Sequence, residues 1–230
     1  MKFFSRNQVS PIGVVLVLVT GMFILAKDAE MHAVTKQQSQ GPDPAVVALR
    51  KGGLREAAKL KGHYVGIERT TDWAKYSLES LTQASSIIVV GTPILSSAKV
   101  VGVENDRIVT EQLVRVDQVL KGKVHENGLV TVAIPGGKVI FEDGTSAEIK
   151  TPDLGPIEQF ANYVLFLRPS SDTAHVFVLT GGGQGLFELS GDSLIKPRGH
   201  KTDTVQKLKN QKVSHFLEQI RKTVKENPEK

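Results

Sequence analysis

Residues 108–120 read IVTEQLVRVDQVL, and this stretch decides the fold. In its second half Val114, Val116 and Gln118 fall on one side of an extended chain, while Arg115 and Asp117 fall on the other. Side chains alternate between faces in a strand, whereas a helix would scatter these five residues round its circumference. The pattern predicts a strand with one face buried, ended by the turn pair Lys121-Gly122.

The same period recurs on both sides of it. Upstream, Ile87-Ile88-Val89-Val90 is a β-branched run expected to end at Gly91 and Pro93. Downstream, Leu129–Ile134 closes on Pro135-Gly136-Gly137. Val139-Ile140-Phe141 and Ser146–Lys150 flank Glu142-Asp143-Gly144-Thr145, and an Asp-Gly pair between two apolar runs signals a hairpin. Tyr163–Leu167, Val176–Thr180, Leu186–Leu189 and Leu194-Ile195 complete a set of seven or eight short strands. Such a series, punctuated by turns, argues for a small barrel or sandwich.

Helical patterns frame the strands. Pro44–Leu60 has helical character interrupted by Gly52-Gly53, with Val47, Leu54 and Ala57 as its apolar positions. Thr71-Asp72 reads as an N-cap for a helix over Trp73–Gln83 that places Trp73, Tyr76, Leu81 and Ala84 on one face. The last helix is expected from Thr204 to Lys225. Val213, Phe216, Leu217, Ile220 and Val224 form its apolar arc, and Lys209 and Lys212 intrude on the early turns. Lys212, Arg221, Lys222 and Lys225 border the arc as a basic surface suited to an anionic membrane or another polyanion. A helix that buries its arc on the strands and leaves its lysines in water is the favoured account.

The chain begins with Lys2 and Arg6, followed by PIGVVLVLVTGMFILA over residues 11–26, sixteen residues without a charge before Lys27 and Asp28. Pro11, Val14, Leu16, Leu18, Met22, Phe23, Ile24 and Ala26 belong to this membrane segment. Each apolar CH₂ leaving water gains about 0.8 kcal/mol, so the run partitions into a bilayer. Two readings stand: a signal peptide, for which Ala26 offers a weak cleavage site, and an uncleaved anchor slightly short of the usual ~17–25 residues. Either carries the body out of the cytoplasm, into the periplasm, the extracellular space or the outer side of the inner membrane.

Charge sharpens the division of the chain. Residues 1–26, 27–71, 72–195 and 196–230 carry +2, +3, −6 and +6, within a net charge of +5. The body is acidic between basic flanks, and nucleic-acid binding by its folded surface is not expected. The expected organisation is a signal or anchor over 1–26, a polar tether over 27–43 and a loosely helical linker over 44–71. A β domain over 72–200 and a basic helix and tail over 201–230 follow. There is no cysteine, which excludes disulfides, thiol catalysis and cysteine zinc sites.

No chemistry-bearing motif stands out. Gly181-Gly182-Gly183-Gln184-Gly185 lacks the Lys-Ser/Thr and helix of a phosphate loop and reads as a turn between strands. His32, His63, His125, His175, His200 and His215 show no metal-pair spacing. Glu142, Asp143, Glu148 and Asp153 cluster near one hairpin without the ligand pattern of a calcium loop. Ser85-Ser86 and Ser96-Ser97 lack a nucleophile elbow and read as capping or edge residues. No catalytic, cofactor or metal residue is assigned.

Ser85–Gly91, Val119-Leu120-Lys121-Gly122, Pro135-Gly136-Gly137, Tyr163–Leu167 and Gln184-Gly185-Leu186-Phe187, in that order, resemble a class of exported bacterial β-domains of unassigned function. More distantly, the strand–Lys-Gly–strand pattern is similar to the netrin-like domain of metalloproteinase inhibitors. That resemblance implies an OB-type, five-stranded Greek-key barrel with a helix at one end; the inhibitors' N-terminal cysteine is absent here. The expected fold is mainly β: a small OB-like barrel or β-sandwich with a preceding short helix and a C-terminal amphipathic helix. The expected role is a non-enzymatic interaction domain of the cell envelope, with the membrane and an envelope protein as partners and no cofactor. An exported hydrolase with a site assembled from dispersed Asp, Glu, His and Ser is the alternative. Polyanion binding by the basic helix is the third.

Overall fold

The computed structural model describes residues 43–68, 74–191, 193–199 and 207–227. The membrane segment, residues 27–42 of the tether, the Thr71-Asp72 cap and the expected helix start at Thr204 lie outside these. Among the described residues no helix is long and apolar enough to cross a membrane.

The fold is mainly β. Its spine is a hairpin of β2 (Ile87–Val101) and β3 (Arg107–Lys121), each of 15 residues. Strand β2 does not end at Gly91 and Pro93 as expected but runs through both. The register slips between Val90 and Gly91 and again between Pro93 and Leu95, so bulges absorb the proline. A Cβ on Gly91 would lie 2.7 Å from the Arg115 carbonyl, so the glycine marks a close approach of two strands rather than a stop.

Strands β4 (Leu129–Pro135), β7 (Asn162–Pro169) and β8 (Val176–Leu179) wrap round this hairpin. β2 pairs with β3 and β7, and β3 with β4. β4 then pairs in parallel with β8, which returns antiparallel to β7. The pairings bring β7, β2, β3, β4 and β8 round in a ring, yet the barrel is not closed. The far edge of β7 is shared: β8 takes Leu167–Pro169, while β9 (Leu186–Leu189) takes Asn162–Leu165. β10 (Ile195–Pro197) extends the sheet beyond β9.

The five consecutive buried residues Tyr163–Leu167 show why β7 is central. Tyr163, Leu165 and Leu167 face the barrel interior with Val114, Val116, Val130, Val132 and Ile134. Val164 and Phe166 face the opposite way, into a second core with Phe187, Ile195, Phe216 and Ile220. That second core is covered by α2 (Leu78–Ala84) and α3 (Val213–Glu226). A strand buried on both faces reads as a continuous apolar run.

α2 starts later than expected, and the last helix is interrupted between helical residues 207–208 and Val213. Residues 74–77 are not helical, and α2 begins after Ser77, whose hydroxyl accepts from the Ser80 N–H while Ser80 returns the bond to the Ser77 N–H. This reciprocal cap outcompetes continuation toward Trp73. Tyr76 is instead tied by its N–H, which donates to the side-chain Oε1 of Gln184. In the last helix a break falls at Asn210, with φ 63°, and residues 210–213 bond alongside 193–195 before α3 starts. The lysines that spoil the early apolar arc therefore lie at the break. From Val213 onward the arc is as expected, with Phe216 and Ile220 fully buried.

A separate three-stranded sheet holds β1 (His63–Ile67), β6 (Ser146–Lys150) and β5 (Gly137–Ile140), in that order. The expected Asp-Gly hairpin is present as β5–β6, but it belongs to this sheet rather than to the barrel. Gly136 and Gly137, at φ 89° and 129°, make the bend from β4 into it. α1 (Pro44–Lys59) is kinked at Gly52-Gly53, as expected, and starts at Asp43, whose carboxylate accepts from the Ala45 N–H. The stretch expected as a linker instead contributes Leu54 to a third core with Ile108, Ala147 and Ile149.

Candidate functional site

The segment from Thr151 to Phe160 has no regular structure, and its placement creates the clefts of this surface. Its N-terminal end is held by the Thr151 hydroxyl donating to the Pro135 carbonyl. Farther on, Leu154 bridges to Gly199, the Gly155 N–H donates to the Arg198 carbonyl, and the Phe160 N–H donates to the Pro93 carbonyl. The segment thus straps across from β4 to β2.

A polar group lies under the strap. The Arg198 guanidinium donates to the Pro156 carbonyl at 2.7 Å, and it stands 3.2 Å from a Glu188 oxygen and 3.5 Å from a Glu158 oxygen. The Tyr163 hydroxyl accepts from the Glu158 N–H at 2.9 Å. Burial is the main reason the Tyr163 phenol is held above its ordinary pKa of 10.0; the Glu158 N–H and the Arg198 charge pull the other way. Folding then favours the protonated phenol, so its contribution is complete below pH 10.0 and falls as pH rises through the folded-state value. Denaturant titrations between pH 8 and 11 are expected to show stability falling at the alkaline end, and Tyr163→Phe should remove much of that fall. An unchanged slope in the variant would contradict the assignment.

Two clefts flank the strap. One, of about 220 Å³, is lined by Arg168, Ser170, Asp172, Val178 and Gly182. The other, of about 570 Å³, lies between the barrel and the three-stranded sheet and is lined by Gln112, Ile134, Lys138, Ile149 and Ile157. Pro135, Thr151 and Leu154 line both. Gln112 on β3 is 5% exposed, and its Oε1 has no hydrogen-bond partner. Sequence reasoning missed this residue; its sole signal was a polar side chain in phase with Val114 and Val116.

The motifs that stood out in the sequence serve structure. The Lys121 ammonium donates to the carbonyls of Thr82, Gln83 and Ser85, capping the C-terminal end of α2. Gly122, at φ 85°, lets the chain pass Ser86, whose carbonyl a Cβ would strike. The glycine run forms a 3-10 turn over Gly182–Gly185 between β8 and β9, and the buried Gln184 donates from it to the Ala74 carbonyl.

Of the dispersed groups of a hydrolase, Glu158 and Glu188 meet at Arg198, and the Ser171 hydroxyl donates to Asp172. His63, His125, His175 and His215 are exposed on separate elements. No three His, Asp or Glu side chains among the described residues converge on one point. Asp143 accepts from the hydroxyl and N–H of Thr145, which hold its carboxyl below the usual range, with Arg55 at 3.5 Å adding to the effect. Glu148 lies 3.8 Å from Lys150. Lys212, Arg221, Lys222 and Lys225 are all exposed. Arg221 donates to Gln118 and Lys222 stands 3.9 Å from Glu226, while the apolar face they border is occupied by the second core. No protein-family profile and no curated protein matches the chain.

Proposed function

We propose that this chain is a non-enzymatic interaction domain of the cell envelope, exported or membrane-tethered by residues 1–26. The observation that carries the reading is the outer face of the three-stranded sheet. Val65, Ile67 and Ile140 are 49%, 61% and 71% exposed there, beside Lys138, Glu148 and Lys150 in register. β1 is the outermost strand, and its second edge is unpaired among the described residues. A short strand with free backbone groups and apolar outward side chains is suited to accept an extended segment from a partner protein.

The reading is tested with the full chain by cross-linking from envelope fractions, comparing wild type with Val65→Lys/Ile67→Lys. Both residues are exposed, so the variant is expected to keep its thermal stability and lose the cross-linked partner. Equal recovery by the variant, or no reproducible partner of the wild type, would sink the proposal. N-terminal sequencing of the mature protein separates a cleaved signal from a retained anchor. An intact chain in the soluble cytoplasmic fraction would count against export altogether.

A further inference from the structure

We propose that the cleft between the barrel and the three-stranded sheet binds the carboxyl terminus of a peptide with apolar side chains. Three features of the lining point to that ligand together. The walls are hydrocarbon: Ile134, Ile149, Leu154 and Ile157, with Pro135 and Pro152, around a volume of about 570 Å³. Pockets of this kind take apolar groups and fix their orientation with a few polar ones.

The first polar group is Gln112. Its Nε2 donates to the Ser96 hydroxyl at 3.1 Å, which leaves Oε1 unmatched. Turning the amide over does not help, because Oε1 would then accept from Ser96 and leave the NH₂ unmatched. One end of a nearly buried amide therefore lacks a partner in either orientation. Gln112 is part of the cleft lining, so a peptide group seated in the cleft lies beside that amide. A peptide group both donates and accepts, so it satisfies whichever end is free.

The second polar feature is charge. Lys138 and Lys150 are exposed residues of the lining, while Glu148 is its one acidic member and half-buried. Lys138 makes no ion pair among the described residues, and Lys150 lies 3.8 Å from Glu148, so the rim keeps positive charge. A carboxyl terminus supplies apolar side chains, a peptide group and a carboxylate within two or three residues. An internal segment supplies a carboxylate only on an acidic side chain, which takes the place of an apolar one. The cleft shares Lys138, Glu148 and Lys150 with the outer face of the three-stranded sheet but does not use the free edge of β1.

The test uses the full chain and fluorescence anisotropy with a labelled hexapeptide, Gly-Ser-Ala-Val-Leu-Val, bearing a free carboxylate. Saturable binding is expected, weakened about tenfold or more by C-terminal amidation and again by Lys138→Gln. Gln112→Leu should weaken binding while leaving the melting temperature unchanged or raised, because it removes an unmatched buried polar group. Val65→Ser/Ile67→Ser, which removes the apolar face of β1 without adding charge across from Glu148 and Lys150, should bind the peptide like the wild type. Absence of saturable binding at millimolar peptide would overturn the inference, as would equal affinity for acid and amide.

Discussion

Phe187→Ala is expected to destabilise the fold by about 3–5 kcal/mol, lowering the melting temperature by roughly 10 °C. Phe187 on β9 is fully buried, and its ring lies 5.7 Å from that of Phe166 and 4.9 Å from that of Phe216. It is the middle of three aromatic rings that join β7 to β9 and β9 to α3. Truncation removes both ring contacts and leaves a cavity that rigid strands cannot fill. Leu81 on α2 and Ile220 on α3 share this core, so loss of helical circular dichroism should accompany loss of stability. A change below about 1 kcal/mol would mean that the helical layer is not held as described.

Gly199→Ala should come next, at roughly 3 kcal/mol. A Cβ at this position would overlap the backbone of Gly183, and neither partner is a side chain that could swing aside. Gly183 is equally confined, since its own Cβ would lie 2.6 Å from the Gly199 Cα and 2.7 Å from the Asp153 carbonyl. Three chain segments therefore meet backbone to backbone: the glycine turn, the strap and the residues after β10. Urea unfolding checks the size of the effect. Proteolysis at residues 151–160 checks its location, because forcing the contact apart should release the strap. Stability within 0.5 kcal/mol of the wild type, roughly the range of ordinary surface substitutions, would refute the close contact.

The strands were largely legible because period two is a local signal. Val114 and Val116 against Arg115 and Asp117 identified β3, and the Asp-Gly pair identified the β5–β6 turn. What local pattern could not supply was membership. Nothing in Ser146–Lys150 says that it pairs in parallel with His63–Ile67, a partner some eighty residues upstream that was not expected as a strand. Gly91 and Pro93 misled because a bulge and a strand end use the same residues. The reciprocal Ser77–Ser80 cap was overlooked in favour of Thr71-Asp72, since propensity ranks both pairs alike and tertiary bonds decide between them. The cleft was illegible for a related reason: Gln112, Lys138 and Leu154 come together through the bend at Gly136-Gly137 and the course of the strap.

The double burial of β7 has a consequence for cooperativity. Its odd-numbered residues from Tyr163 to Leu167 belong to the barrel core, and its even-numbered ones to the core beneath the helices. Neither layer can open without uncovering apolar side chains of the same strand. The barrel and the helical layer are thus expected to melt in one transition. The three-stranded sheet packs on a cluster that takes Ile108 from the start of β3, so opening it uncovers one end of a barrel strand rather than a whole one, and it is the part of the molecule expected to open first.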